Sequence, residues 1–475
     1  MDKTLFICAD HALAIIYFLQ SEVVETVLGG GRQVVLLVDE VLKDHLAGRF
    51  GRPGLSFEGL RLTQAHAYAE SEQKEIQWWL QFLRRVGGSR RINTAAMDSY
   101  VRQVSVEEPN RRRILMPLSW LLIMLLRSSA AARRLLLNLQ NRYKPMIYGD
   151  LFDRYRPERV IASTPGWRLD RYLLREARAR GVPTASVIVG WDNPSSYSLP
   201  GAQVDQATCW SEIQREEMVQ GADWAPEQIH VGGIPSYDGY FRGTWRLSRD
   251  AYFKQHGLDP QRKLLSYACS FVSFSPNARN VEALARLVSS DSLAAPCQLL
   301  VRLHPNHFME TPLFRAEREH LQRLGRELDH VRVVEPVPLG GDLTYYSGED
   351  MQEKSSMMAH SDVFLTVYST MVVETAIHGR PIISVCLDTP GGWVAPRKYS
   401  LPLSQIGNWP THNRFRDAGA GRVVYDELEL REAIDLYLQQ PETDAEARAR
   451  FVENEVTFTD GSAGRRTGEY LLSLS

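Results

Sequence analysis

The apolar residues of this chain fall into two successive series of short runs. In the first, Leu5 to Ala9, Val34 to Val38, Val160 to Ser163, Ala185 to Val189 and Ala207 to Trp210 are apolar on both sides, as strands are in a parallel sheet covered on both faces. Between them lie helix-period segments such as 168–180, closed by Gly181-Val182-Pro183. A strand at Ile229 to Val231 runs into Gly232-Gly233-Ile234-Pro235, and the polar stretch 242–262 that follows reads as a hinge. The second series has strands at 264–269, 299–303, 331–334, 382–387 and 423–425, with helices at 280–289, 313–328 and 427–439. The segment 444–475 is helical again, interrupted at Asp460-Gly461. Alternation of this kind predicts an α/β, doubly wound architecture. We expect two Rossmann-like lobes whose parallel sheets face an interlobe cleft, with a C-terminal helix crossing back to the first lobe. The expected boundaries are 1–241 for an N-terminal acceptor lobe, 242–440 for a C-terminal nucleotide-donor lobe, and 441–475 for the returning helical segment.

Residues 84–144 break the pattern. Thirteen Arg and Lys residues there face only Asp98, Glu107 and Glu108, so this is a basic helical insertion. Within it, Ile114 to Leu126 is an apolar run of 13 residues, too short to span a bilayer, which needs about 20. Two readings are open: a helix apolar all round that belongs to a core, or an interfacial element, around 110–127, docking on an anionic membrane surface.

Composition narrows the class. The net charge is −2, which argues against a general nucleic-acid binder. Five cysteines stand singly without metal-ligand spacing, so reduced thiols in a cytoplasmic protein are expected. The start of the chain carries no basic region followed by a cleavable apolar core.

The stretch from Asp362 to Ile383 organises the second series. Val363 to Tyr368 reads as a buried strand, and at Ser369 the period changes to helical, until Gly379 stops it and Pro381 opens the next strand. Ser369 and Thr370 therefore sit at a strand-to-helix turn, where N–H groups and the helix dipole favour an anion. Glu374 lies one residue too far along for a capping box. Its carboxylate is expected to be free, and a ribose diol is the natural guess for its partner. Arg302 and His304, two apart at the end of another strand, share one face. As guanidinium and imidazolium they could neutralise a diphosphate leaving group. Zinc on His304 and His307 lacks a third ligand nearby. After a strand of the first series, Trp191-Asp192-Asn193 offers Asp192 as general base or orienting group for an acceptor hydroxyl, although Asp-Asn-Pro is also turn chemistry.

Taken together, Trp191-Asp192-Asn193, Trp210-Ser211-Glu212, Gly233-Ile234-Pro235-Ser236-Tyr237-Asp238, Arg302-Leu303-His304-Pro305-Asn306, the stretch 362–381 and Asp460-Gly461-Ser462-Ala463 resemble a known group. It is the bacterial surface-polysaccharide transferases of the GT-B fold, related to the CDP-glycerol glycerophosphotransferases and capsule glycosyltransferases. The resemblance covers about residues 145–475. It implies that His304-Pro305 and Ser369-Thr370 meet the donor's phosphates. The same pairs recur in cytidine-nucleotide transferases, so a cytidine-linked donor is implied alongside a UDP-linked one. The chain departs from the group at Val367, where many relatives carry Asp, and at Pro194-Ser195, where they often carry Leu-Thr. No Asp-x-Asp motif occurs, which agrees with the metal-independent, cofactor-free transfer that the resemblance implies.

The expectation is thus a peripheral cytoplasmic enzyme moving a sugar or glycerol phosphate from a nucleotide donor to a polysaccharide or lipid-linked acceptor. Arg302, His304, Pro305, Ser369, Thr370 and Glu374 would hold the donor, and Trp191, Asp192 and Asn193 the acceptor, with Asp192 and His304 catalytic. The alternatives are a nucleotide-sugar 2-epimerase on the same fold and a nucleotide-binding scaffold without catalysis.

Overall fold

The computed structural model describes residues 3–270, 277–387 and 398–474. The chain divides into two compact units: Met1–Arg242 with Pro338–Ser347 and Asn454–Ser475, and Gly243–Val337 with Gly348–Glu453. In the first, strands β1 (Thr4–Cys8), β2 (Gln33–Val38), β3 (Leu55–Gly59), β4 (Arg159–Ala162), β5 (Thr184–Val187), β6 (Gln206–Cys209) and β7 (Ile229–Val231) form one parallel sheet, ordered β3-β2-β1-β4-β5-β6-β7. All five residues of β1 are buried, as the apolar run requires. The edge strand β3 went unforeseen because Ser56 and Glu58 leave it only two large apolar residues, Leu55 and Phe57.

The second unit opens with β8 (Lys263–Ala268), β9 (Cys297–Arg302) and β10 (Val331–Val334). A hairpin, β11 (Pro338–Gly340) and β12 (Tyr345–Tyr346), follows before β13 (Val363–Thr366), β14 (Ile382–Val385) and β15 (Arg422–Val424). Its parallel sheet runs β10-β9-β8-β13-β14-β15. In both sheets the strand order reverses beside the first strand, between β1 and β4 and between β8 and β13. Crossovers on the two sides of such a reversal leave on opposite faces, so the sheet's carboxyl edge opens into a crevice there.

The hairpin corrects a boundary. Expected inside 242–440, residues 338–347 belong to the first unit. The reason is Tyr345, fully buried, whose hydroxyl donates to Ala9 O at 2.6 Å and accepts from Asp39 N at 3.1 Å. Leu343 N adds a bond to Asp39 Oδ2 at 3.1 Å.

The terminal helix Ala463–Ser473 packs on Val23–Gly29. Its first N–H groups, Ala463 N and Gly464 N, donate to the Asp238 carboxylate at 3.0 and 2.8 Å, which satisfies donors a helix cannot pair internally. Two glycines let the backbones approach: a Cβ on Gly464 would lie 2.7 Å from Glu22 N, and one on Gly468 2.6 Å from Thr26 Cβ.

The basic insertion has its own small core of Phe82, Val86, Met97, Val101, Val104, Met116 and Ile123. Its run 114–126 is not core all round. The helix Met116–Ser128 buries Met116, Ser119, Ile123, Leu126 and Arg127 and exposes most of its remaining large apolar side chains.

We expect Gly468→Ala to cost about 1–3 kcal/mol through overpacking, whereas Gly29→Ala, with nothing within 4 Å of the new Cβ, is neutral. Denaturant unfolding of the two variants checks this.

Candidate functional site

At the reversal in the second sheet, Tyr368 stands two residues beyond the end of β13, and its φ of +30° lies in the left-handed region. A bulky aromatic residue rarely adopts that conformation, and strain of this kind collects at functional sites. Its ring is held against His412, centroids 4.5 Å apart. The turn presents Ser369 and Thr370, both half-buried, ahead of the helix Met371–Ile377. Ser369 Oγ accepts from Met371 N at 3.3 Å. Gly379, with a φ of +69°, ends the segment because its backbone reverses there without a Cβ penalty.

On the other side of β8, β9 leads to Arg302, His304 and Pro305. Here the structure corrects the expected charges. Arg302 is buried, and its Nη2 donates to Asp350 Oδ1 at 2.6 Å, an oxygen that also accepts from Val337 N. Burial alone would depress the guanidinium's pKa, but the Asp350 carboxylate outweighs it and the pKa is raised. Arg302 is thus ion-paired inside the unit through Nη2, while its buried Nη1 has no hydrogen-bond partner among the described residues. His304 is no imidazolium. Burial, then the neighbouring His307, Arg302 and Lys354, push its pKa down to about 3. Its Nδ1 accepts from Asn306 N at 3.1 Å, which assigns the ring proton to Nε2. His304 is therefore a neutral hydrogen-bond donor at physiological pH.

Glu374 is not the free carboxylate expected either. It is buried and ion-paired with Lys354 Nζ at 2.7 Å. Lys354 is the residue that sequence reasoning missed: it stands in the middle of the helix Gly348–His360, where nothing in the local pattern distinguishes it. By pairing with Glu374 and acting on His304, it draws the β9 and β13 ends into one electrostatic cluster.

In the first unit, Trp191 is buried and its Nε1 donates to Glu455 Oε2 at 2.6 Å, so the indole ties the 190–193 turn to the returning chain. Asn193 is buried, and Asp192 is half-buried before the short helix Asn193–Tyr197. Closer to the reversal lie three residues not singled out from sequence. Asp10 and His11 follow β1, and Asp170 opens the helix Asp170–Ala179 beyond β4. Asp170 Oδ2 accepts from Thr164 N and Thr164 Oγ, its Oδ1 from Arg168 N, and Asp10 Oδ2 accepts from Asp170 N at 2.8 Å. Both carboxyls are buried. Burial first, and the Asp10 charge second, push the Asp170 pKa up to about 7. The pair knots the 163–170 loop, with Arg168 Nε 3.5 Å from Asp10 Oδ1 and the raised Asp170 pKa relieving its like charges. The strand-end positions of Asp10 and His11 were a readable signal. Among the described residues, no group of three or more His, Cys, Asp or Glu is arranged to hold a metal ion.

No protein-family model matches the chain, and no curated protein matches it either. Solved structures do. A putative UDP-N-acetylglucosamine 2-epimerase from Listeria monocytogenes aligns with a TM-score of 0.54 at 12% identity, over 98% of this chain and 94% of that one. The UDP-GlcNAc 2-epimerase from Neisseria meningitidis, solved bound to UDP-GlcNAc, aligns at 0.52 and 11% over the whole of both chains. That from Methanocaldococcus jannaschii aligns at 0.51 and 10%, again over all of both. The fold is GT-B. At such identities the likeness is one of architecture, and the residues above carry the chemistry.

Because the native Asp10–Asp170 pair keeps a proton that the unfolded chain releases near pH 4, its contribution to stability falls as pH rises from 4 to 7, by up to ~1.4 kcal/mol per pH unit for one proton. Asp170→Asn, always neutral, should flatten that slope. Melting temperatures of both proteins from pH 4 to 8 read it directly; parallel curves would place the proton elsewhere.

Proposed function

We propose that the chain transfers a sugar or glycerol phosphate from a nucleotide-diphosphate-linked donor to a hydroxyl of a polysaccharide or lipid-linked acceptor. The observation that carries the donor half is the cluster at the carboxyl edge of the second sheet. His304 acts there as a neutral donor, Lys354 as a half-buried cation, and Ser369 and Thr370 stand at a strained turn. Hydrogen-bond donors and a cation gathered where backbone N–H groups end a strand suit a diphosphate. As the bond to the transferred group breaks, negative charge grows on the leaving phosphate. The His304 Nε2–H and Lys354 would act on that growing charge and so mainly in the transition state. A helix of seven residues contributes only a short dipole, which leaves the side chains the larger share. On the acceptor half, Asp192, at the carboxyl end of β5, is the carboxylate we assign to the acceptor hydroxyl.

A second reading has one observation in its favour: the solved structures described above are UDP-GlcNAc 2-epimerases. Such an enzyme would rearrange the sugar with no acceptor. Incubating nucleotide sugars with the protein alone separates the two, since a rearranged donor without acceptor sinks the transferase reading.

Three results are expected. A thermal-shift screen of UDP, CDP, CMP, GDP and TDP should raise the melting temperature with one base above the others. His304→Ala should lower kcat by about 10²-fold with a smaller change in KM, and an unchanged kcat removes His304 from the mechanism. With its free-state pKa near 3, His304 is neutral throughout pH 5–8, so kcat/KM should show no limb near 6.5 that His304→Gln abolishes.

A further inference from the structure

The helix Met116–Ser128 inverts the usual arrangement of a surface helix. Its inward side includes Ser119 and Arg127, while its outward side presents Leu118, Trp120, Leu121, Leu122, Met124 and Leu125. At 100° per residue these six positions share one broad face without a charge on it. Ile114 and Leu115 extend the face at its start, and the eight side chains are 38–76% exposed. Together they expose on the order of 800 Å² of apolar surface, above the roughly 300–600 Å² of the largest patch on a typical monomer.

The bordering charges are of one sign. From Pro109 to Lys144 the chain has eight basic residues and no acidic one. Four of them hold the insertion together: Arg111 and Arg112 pair with Glu75, Arg127 with Asp98 and Arg133 with Asp223. Arg113 and Arg134 make no ion pair among the described residues and are exposed. Arg113 lines an open hollow with Ile114 and Trp120; Arg134 stands beside exposed Leu135 on the next helix, Ala130–Gln140.

We propose that this face docks in the plane of an anionic phospholipid surface. Leucines enter the acyl boundary, Trp120 sits at headgroup level, and Arg113 and Arg134 meet lipid phosphates. Thirteen residues make a helix ~20 Å long, which lies on a bilayer and does not cross it; among the described residues no helix is long and apolar enough to span. A second copy of the chain is a poorer occupant, because self-pairing sets arginine rims of like charge against each other. An anionic leaflet matches both the apolar face and its rim. The inference stands apart from the reaction proposed above, since docking needs no nucleotide.

The test is co-sedimentation of the full chain with vesicles of phosphatidylcholine alone or with 30% phosphatidylglycerol, without nucleotide. We expect binding to the anionic vesicles, weakened by salt and lowered about fivefold by each of Arg113→Gln and Arg134→Gln. The double variant Leu121→Glu/Leu125→Glu should lose binding while keeping the wild-type melting temperature, because both side chains are exposed. Absence of binding to anionic vesicles at low salt overturns the proposal. So does equal binding by the double variant, or a wild-type dimer in light scattering that the double variant dissociates while neither protein binds vesicles.

Discussion

Everything chemical in this protein follows from the pairing of parallel strands. Along β1, β4, β8 and β13 the backbone groups are spent on neighbouring strands and most side chains on apolar cores. Only where the strand order reverses do chain ends emerge into a crevice. Ser369 and Thr370 follow β13 at the reversal in one unit, with His304 after the neighbouring β9; Asp10 and His11 follow β1 at the reversal in the other, with Asp192 beyond the end of β5. The left-handed Tyr368 belongs to the same constraint: the strand must turn sharply into the Met371–Ile377 helix, and the ring buried against His412 offsets that cost.

Charge in the interior is governed by what each ion can pair with. Arg302 is held by Asp350, Lys354 by Glu374, and Asp10 and Asp170 by backbone N–H groups and a retained proton. Desolvating an unpaired ion costs more than any single contact returns. His304, desolvated and set beside His307, Arg302 and Lys354, is pushed towards its neutral form instead. An anion arriving at that edge would meet a neutral donor whose basicity rises as the anion binds, a response that a preformed imidazolium could not make.

The insertion applies the same rule with the opposite result. Arg112, Arg127 and Arg133 turn inward to Glu75, Asp98 and Asp223, and these half-buried pairs fix the helix Met116–Ser128 so that its leucines face out. Had the leucines been the inward side, Arg127 and Ser119 would be solvated and the neighbouring carboxylates left without partners.

How much of this was legible varied with the range of the interaction. Hydrophobic periodicity is local, so most of the strands and helices, the α/β class and the turn at Ser369 could be read from the residues, and strand-end positions pointed to His304 and Asp192. The short edge strand β3 escaped because two polar residues weaken its pattern. What no local pattern could determine was which charges meet. Lys354 lies 20 positions from Glu374, Arg302 lies 48 from Asp350, and Asp10 lies 160 from Asp170. Tyr345 reaches Ala9 across 336. Such pairs are set by how the sheets bring strand ends together. For that reason the sequence alone placed the candidate residues beyond strand ends, and only the tertiary structure decided which of them are charged, which are neutral and which are already engaged.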